Sequence, residues 1–202
     1  RQIAEIAVKH DILVISDDVY NTLLYDGAKN TCIAAFPGMK ERTAVVNSLS
    51  KSYAMTGWRI GFVAGPAELV SAMTKCQENF NACANAPGQY AGTVALAHPE
   101  LCEELRKVFE NRRRLLLDGL KGIKGIESND PKGAFYVFAD ISSFGLSSAD
   151  FCNRLLDEQK VVCIPGSAFG ACGEGFIRIA YTCSDSDLVE AVARIKTFCE
   201  SL

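Results

Sequence analysis

Ile3, Ile6 and Ala7 recur at the spacing of one helical face, and Lys9, His10 and Asp11 close that pattern before Ile12 to Ile15 runs apolar without a break. The pattern predicts a helix entering a buried strand. Gly and Pro punctuation at Asp26-Gly27 and Phe36-Pro37-Gly38 precedes two further strand-like runs, Ala44 to Ser48 and Ile60 to Ala64. Pro66 suits the first turn of a helix whose Leu69, Val70 and Met73 return every three or four residues. Short buried strands separated by helices imply an α/β fold with a mainly parallel sheet.

The stretch Asn85-Ala86-Pro87-Gly88 interrupts this rhythm, and Pro99 then opens the longest helix, with Leu101, Leu105, Val108, Leu116 and Leu120 as a core-facing stripe running toward Gly122. A long connecting helix predicts a domain boundary, with one domain over 1–97 and a second over 98–202. Arg112, Arg113 and Arg114 fall within the helix; three successive residues spread around most of its circumference, so they read as solvated charges. Beyond it come a strand over Ala134 to Asp140, a helix begun at Ser147 or Ser148, strands over Val161 to Ile164 and Phe176 to Ala180, and a last helix capped by Ser184 with Asp187. This half reads as a small α+β unit.

Composition narrows the function classes. The 202 residues are 49% hydrophobic and carry a net charge of −3, which suits a globular chain and offers no electrostatic reason for a nucleic acid or an anionic membrane as partner. No apolar run reaches the roughly 18 residues of a membrane span, and the amphipathic start is unlike a signal peptide. Arg1 stands where an initiator Met is expected, which predicts that the natural chain continues upstream. The nine cysteines are odd in number and show no CxxC spacing, so they read as reduced packing thiols in a cytoplasmic setting. With only His10 and His98, far apart, no metal site is expected.

In α/β sheets ligands sit beyond the carboxyl ends of strands, and two such ends carry chemistry here. The run ILVIS leads into Asp17-Asp18-Val19-Tyr20, and AVVNSLS leads into Lys51, with Arg59 shortly after. Acid, phenol, amine, hydroxyl and guanidinium groups thus gather at neighbouring strand ends. Ser50 reads as a turn cap, and Trp58 and Phe62 as core.

The segment Ser-Leu-Ser-Lys-Ser-Tyr-Ala-Met-Thr-Gly-Trp-Arg-Ile-Gly-Phe, residues 48–62, resembles the lysine signature of the fold-type I, pyridoxal-phosphate-dependent class I/II aminotransferases. Asp17-Asp18-Val19-Tyr20 is similar to that family's Asp-x-x-Tyr motif, with Asp18 replacing the commoner Glu. Lys132-Gly133-Ala134-Phe135-Tyr136 resembles its glycine-aromatic strand entry, Ile164 to Gly170 a loop near its substrate entrance, and Phe176 to Ala180 its carboxylate-binding Arg strand. The motifs occur in family order along nearly the whole chain.

The resemblance implies the C-terminal part of a large cofactor domain with a mainly parallel sheet, followed by a small α+β domain. It implies pyridoxal 5'-phosphate as cofactor, an amino acid and a 2-oxo acid as substrates, and a homodimer for the full-length protein. Lys51 would bind the pyridoxal aldehyde and, once freed, serve as general base. Asp17 would hold the ring nitrogen protonated and Tyr20 would donate to the phenolic oxygen. Ser48 and Arg59 would hold the phosphate, and Arg178 would fork onto the substrate α-carboxylate. The family's glycine phosphate loop, ring-stacking aromatic and cofactor-contacting Asn are not among these residues. The motifs leave open a carbon–sulfur β-lyase using the same cofactor, or a ligand-sensing aminotransferase-like module.

Overall fold

The computed structural model describes residues 1–202, in which helices alternate with short strands and the packing divides into two units, Arg1–Arg106 and Lys107–Leu202. Helix α1 (Gln2–Lys9) leads into β1 (Val14–Asp17), and β2 (Thr43–Ser48) lies parallel to it with Asp17 opposite Val46. The connection from β2 to β3 (Gly61–Ala64) holds only the single-turn α2 (Leu49–Ser52) and a 3-10 turn at Thr56–Trp58. That short link reverses the chain, so β3 pairs antiparallel with β2, placing Ser48 opposite Gly61. The sheet order is β1-β2-β3.

Helices α3 (Ala67–Asn81) and α4 (Ala86–Leu96) follow. The sequence reading contains no counterpart of α4, because its first residues look like a breaker. In fact Asn85 caps it and Pro87 lies in its first turn, where a missing N–H costs nothing. Leu49, Met55, Ile60 and Ala95 form one buried cluster; Ala4, Ala7 and Met39 form another.

Several expectations of burial in this unit are corrected. It is Ala4 and Ala7 that α1 buries, while Ile3 and Ile6 point outward. Along β1, Ile15 is 78% exposed, and Trp58 and Phe62 are exposed as well rather than core. Apolar periodicity selects which residues share a face, and here nothing packs on that face.

Helix α5 (Glu100–Lys121) crosses from one unit to the other. Its first turns pack with the first unit, where Arg106 donates to the Leu24 carbonyl at 3.3 Å. Its buried stripe differs from the expected one. Leu116 and Leu120 are buried, but Leu101 and Val108 are exposed, and Cys102, Phe109 and Leu117 take the inner positions. Arg113 is buried rather than solvated and donates to Asp130.

In the second unit β4 (Glu127–Ser128), β5 (Tyr136–Asp140), β6 (Ile164–Pro165) and β7 (Phe176–Ala180) form an antiparallel sheet in the order β4-β5-β7-β6. Of the predicted strand over 161–164 only Ile164 joins the ladder. Side chains alternate across β5 and β7: Val137, Ala139, Ile177 and Ile179 face the core, and Tyr136, Phe138 and Arg178 lie on the other face. Helices α6 (Ser148–Gln159) and α7 (Asp185–Glu200) supply Phe151, Leu155, Leu188, Ile195 and Phe198 to the same core, with the Phe151 and Phe198 rings edge-on at 5.1 Å. Ser147 and Ser184 cap them as expected, accepting from the Asp150 and Asp187 N–H groups at 3.1 and 3.2 Å.

All nine cysteines are free thiols. Cys102, Cys152, Cys163 and Cys199 are buried, as packing thiols should be, whereas Cys76, Cys83, Cys172 and Cys183 are exposed. Burial pushes the Cys163 thiol up to about 12 and those of Cys152 and Cys199 to about 11, which leaves them un-ionised at neutral pH. No helix is long and apolar enough to cross a membrane.

Candidate active site

Parallel pairing sets the carboxyl ends of β1 and β2 side by side, and the residues that follow them are the predicted site. At the end of β1, Asp17 is exposed and its carboxylate accepts from the Val19 N–H at 3.3 Å. Asp18, half-buried, accepts from the Ser16 hydroxyl at 2.7 Å, so the second acid of the pair is held inward by its own strand. Tyr20 is half-buried in the turn beyond. The Thr22 hydroxyl donates to that of Ser52 at 3.0 Å, which ties the loop after β1 to α2.

Ser48 ends β2 and begins α2. Its hydroxyl accepts from the Ser50 N–H at 3.1 Å, which caps the turn, and donates to the Ile60 carbonyl at 3.1 Å. The capping role expected of Ser50 therefore falls to Ser48, with the Ser50 hydroxyl beside it at 2.9 Å. Lys51 sits in that capped turn, half-buried. Arg59 follows the 3-10 turn in the left-handed region, at φ 53° and ψ 46°, and donates to the Thr56 carbonyl at 3.0 Å.

Ser48, Ser50 and Arg59 together line an open cavity of about 780 Å³ with Asn47, Asn81 and Asn85. Its walls contain one guanidinium, several neutral donors and no carboxylate, a donor set that fits a phosphate dianion. Lys51, Asp17 and Tyr20 are not part of that wall. The structure thus joins the two expected phosphate ligands in one cavity and leaves the other three at the strand ends.

Arg178 belongs to the second unit. It stands opposite Phe138 on β5 and Ile164 on β6. Its guanidinium carbon lies 4.4 Å from the centre of the Tyr136 ring and 4.7 Å from that of Phe169, so two aromatic faces hold it. Its Nε is buried and has no hydrogen-bond partner. A buried, unsatisfied donor on a cation is costly unless an anion completes it, and a carboxylate matches the fork of this side chain. Tyr136 and Phe169 flank this candidate ligand, yet along the sequence each is only a motif member. The signal lay in register, because Tyr136 shares a sheet face with Arg178 through antiparallel pairing.

The loop bearing Phe169 is shaped by close backbone approach. A Cβ on Gly166 would come within 2.2 Å of the Gly173 carbonyl oxygen, so only glycine allows this turn to fold back beside β7.

Comparison with known proteins gives matches along nearly the whole chain. The family described as Aminotransferase class I and II matches residues 1–195. An aromatic-amino-acid aminotransferase of Thermococcus litoralis is 43% identical over 96% of this chain and 51% of its own length, and an aspartate aminotransferase of Pyrococcus abyssi is 44% identical with the same coverage. Among solved structures, an aromatic aminotransferase from Pyrococcus horikoshii superposes with a TM-score of 0.95 at 42% identity, covering 99% of this chain and 54% of that one. The aspartate aminotransferase from Rhizobium meliloti gives 0.92 at 37% identity, covering 97% and 52%. The chain spans about half the length of the curated relatives it matches.

Proposed function

The chain belongs to the class I and II aminotransferase family, and on that premise we propose that it forms part of a pyridoxal-phosphate-dependent enzyme moving an amino group from an amino acid to a 2-oxo acid. The observation that carries this reading is the cavity walled by Arg59, Ser48 and Ser50 without a carboxylate, next to a capped helical turn that contains a lysine. Arg59 and Ser48 would bind the phosphate of the cofactor. Lys51 would anchor the aldehyde and then carry the proton between the substrate carbon and the cofactor. Asp17 would hold the ring-nitrogen proton and Tyr20 would donate to the phenolic oxygen. The cofactor itself, when bound, supplies an electron sink that makes the substrate Cα–H acidic.

Arg178 would bind the α-carboxylate that amino and oxo acids share. Its aromatic sandwich supports that role by holding the fork in place before an anion arrives, and its unsatisfied Nε supports it as a donor left for that anion. The same reading entails a homodimer, and a reducing cytoplasmic setting that suits nine free thiols. The full-length holoenzyme tests it directly. Borohydride reduction and peptide mapping should place the pyridoxyl group on Lys51, and a label on Lys40 or Lys75 would overturn the assignment. Assaying 2-oxoglutarate-dependent transamination against release of pyruvate and ammonia from cystathionine separates a transferase from a β-lyase.

A further inference from the structure

We propose that Asn85 is a positioning residue for Arg59, and hence a determinant of phosphate recognition; this rests on the assignment of Arg59 to the cofactor phosphate. Asn85 precedes α4 and uses both ends of its amide. The Oδ1 accepts from the Gly88 N–H at 2.7 Å, which caps the helix, and the Nδ2 donates to the Trp58 carbonyl at 2.8 Å. One side chain therefore fastens the residue before Arg59 to the start of a packed helix. On the other side of Arg59, the Ile60 carbonyl accepts from the Leu49 N–H at 3.2 Å.

Arg59 needs that double fastening because its backbone is left-handed, a conformation that disfavours any residue with a Cβ and persists only where its surroundings impose it. The seat of α4 is itself rigid. A Cβ on Gly88 would come within 2.8 Å of the Ile60 side chain, and Ile60 belongs to the buried cluster with Leu49, Met55 and Ala95. Asn85 also lines the same cavity as Arg59, so the residue that fastens the arginine's backbone is itself part of the wall beside it. Releasing the Trp58 carbonyl frees the Arg59 backbone to leave the left-handed region, and the guanidinium loses its fixed direction toward the cavity.

Asn85→Ser and Asn85→Thr discriminate positioning from capping. Both hydroxyls cap a helix about as well as Asn, but neither supplies an amide donor that spans to the Trp58 carbonyl. In the full-length holoenzyme, resolved and titrated again, both variants should keep the wild-type Tm to within about 2 °C. They should bind pyridoxal phosphate about ten-fold more weakly while binding unphosphorylated pyridoxal within about two-fold of wild type. Arg59→Ala is the reference and should show a larger loss of the same phosphate-specific kind. Wild-type affinity for pyridoxal phosphate in Asn85→Ser and Asn85→Thr overturns the positioning role, and so does an equal loss for both compounds, which would mark Asn85 as structural. If Arg59→Ala also binds pyridoxal phosphate normally, the phosphate assignment falls and the inference with it. If Arg59→Ala weakens binding and the Asn85 variants do not, only the inference falls.

Discussion

In the second unit, the inward residues of β5 and β7 meet α5, α6 and α7 of the same chain, and Val137, Ala139, Ile177, Phe151 and Phe198 all reach zero exposure. In the first, β1 and β3 are both sheet edges, Ile15 on β1 is 78% exposed, and Leu13, Phe80 and Tyr90 lie in the open as well. Both regions are equally apolar in pattern. Burial therefore follows from the presence of a partner surface, and the apolar run in a sequence states only the demand for one.

The sharpest way to break this comparison is to separate the regions. Lys107–Leu202 expressed alone should unfold in one cooperative transition, whereas Arg1–Arg106 should bind anilinonaphthalene sulfonate strongly and lack a sharp transition. Equally cooperative urea curves for the two fragments would show that the first closes a core of its own.

Single truncations sharpen the same point at smaller cost. Phe151→Ala removes a ring with zero exposure that touches Phe144 and Phe198, and it should cost about 3 to 5 kcal/mol. In this chain Ile15→Ala removes a side chain that stands mostly in water and should change stability by less than about 0.5 kcal/mol. Urea midpoints of the two variants measure the difference. A loss at Ile15 comparable to that at Phe151 would mean that β1 is covered in solution.

The same contrast explains which parts of the molecule were legible from sequence. Strand β7 appears as expected over Phe176–Ala180, and α6 and α7 begin at the expected serines, because alternation and hydroxyl caps are local signals. Helix α4 was hidden by Pro87 and Gly88, which read as breakers although one sits in the first turn and the other is demanded by Ile60. At Arg113 a charge is buried because Asp130, distant in sequence, reaches it; no local pattern carries that information. At the candidate site, Ser48 and Arg59 could be paired from the strand-end rule and the family motif. The aromatic sandwich on Arg178 and the Asn85 clamp could not, since both depend on which elements pack together.

Arg113 also gives the finest test, because it is the one charge buried in the otherwise apolar interior of α5, in the unit whose core is closed. Its partner Asp130 lies at the surface, where the Lys132 ammonium donates to the carboxylate at 2.6 Å. Hydrogen bonding from Lys132, and then from Arg113, holds the Asp130 carboxyl below its ordinary value of 3.8. A carboxyl that ionises more readily in the folded chain stabilises it above the unfolded pKa, and that contribution fades as pH falls toward the folded value. Asp130→Asn should therefore weaken the chain at pH 7 and have almost no effect near pH 2. The Asp130 side chain is 57% exposed, so solvent screening keeps the loss to about 1 kcal/mol. Urea midpoints of the wild type and Asp130→Asn across pH 2 to 7 should converge on the acid side. Curves that stay parallel would mean that Asp130 acts through shape rather than charge, and that the closed unit tolerates Arg113 without an anionic partner.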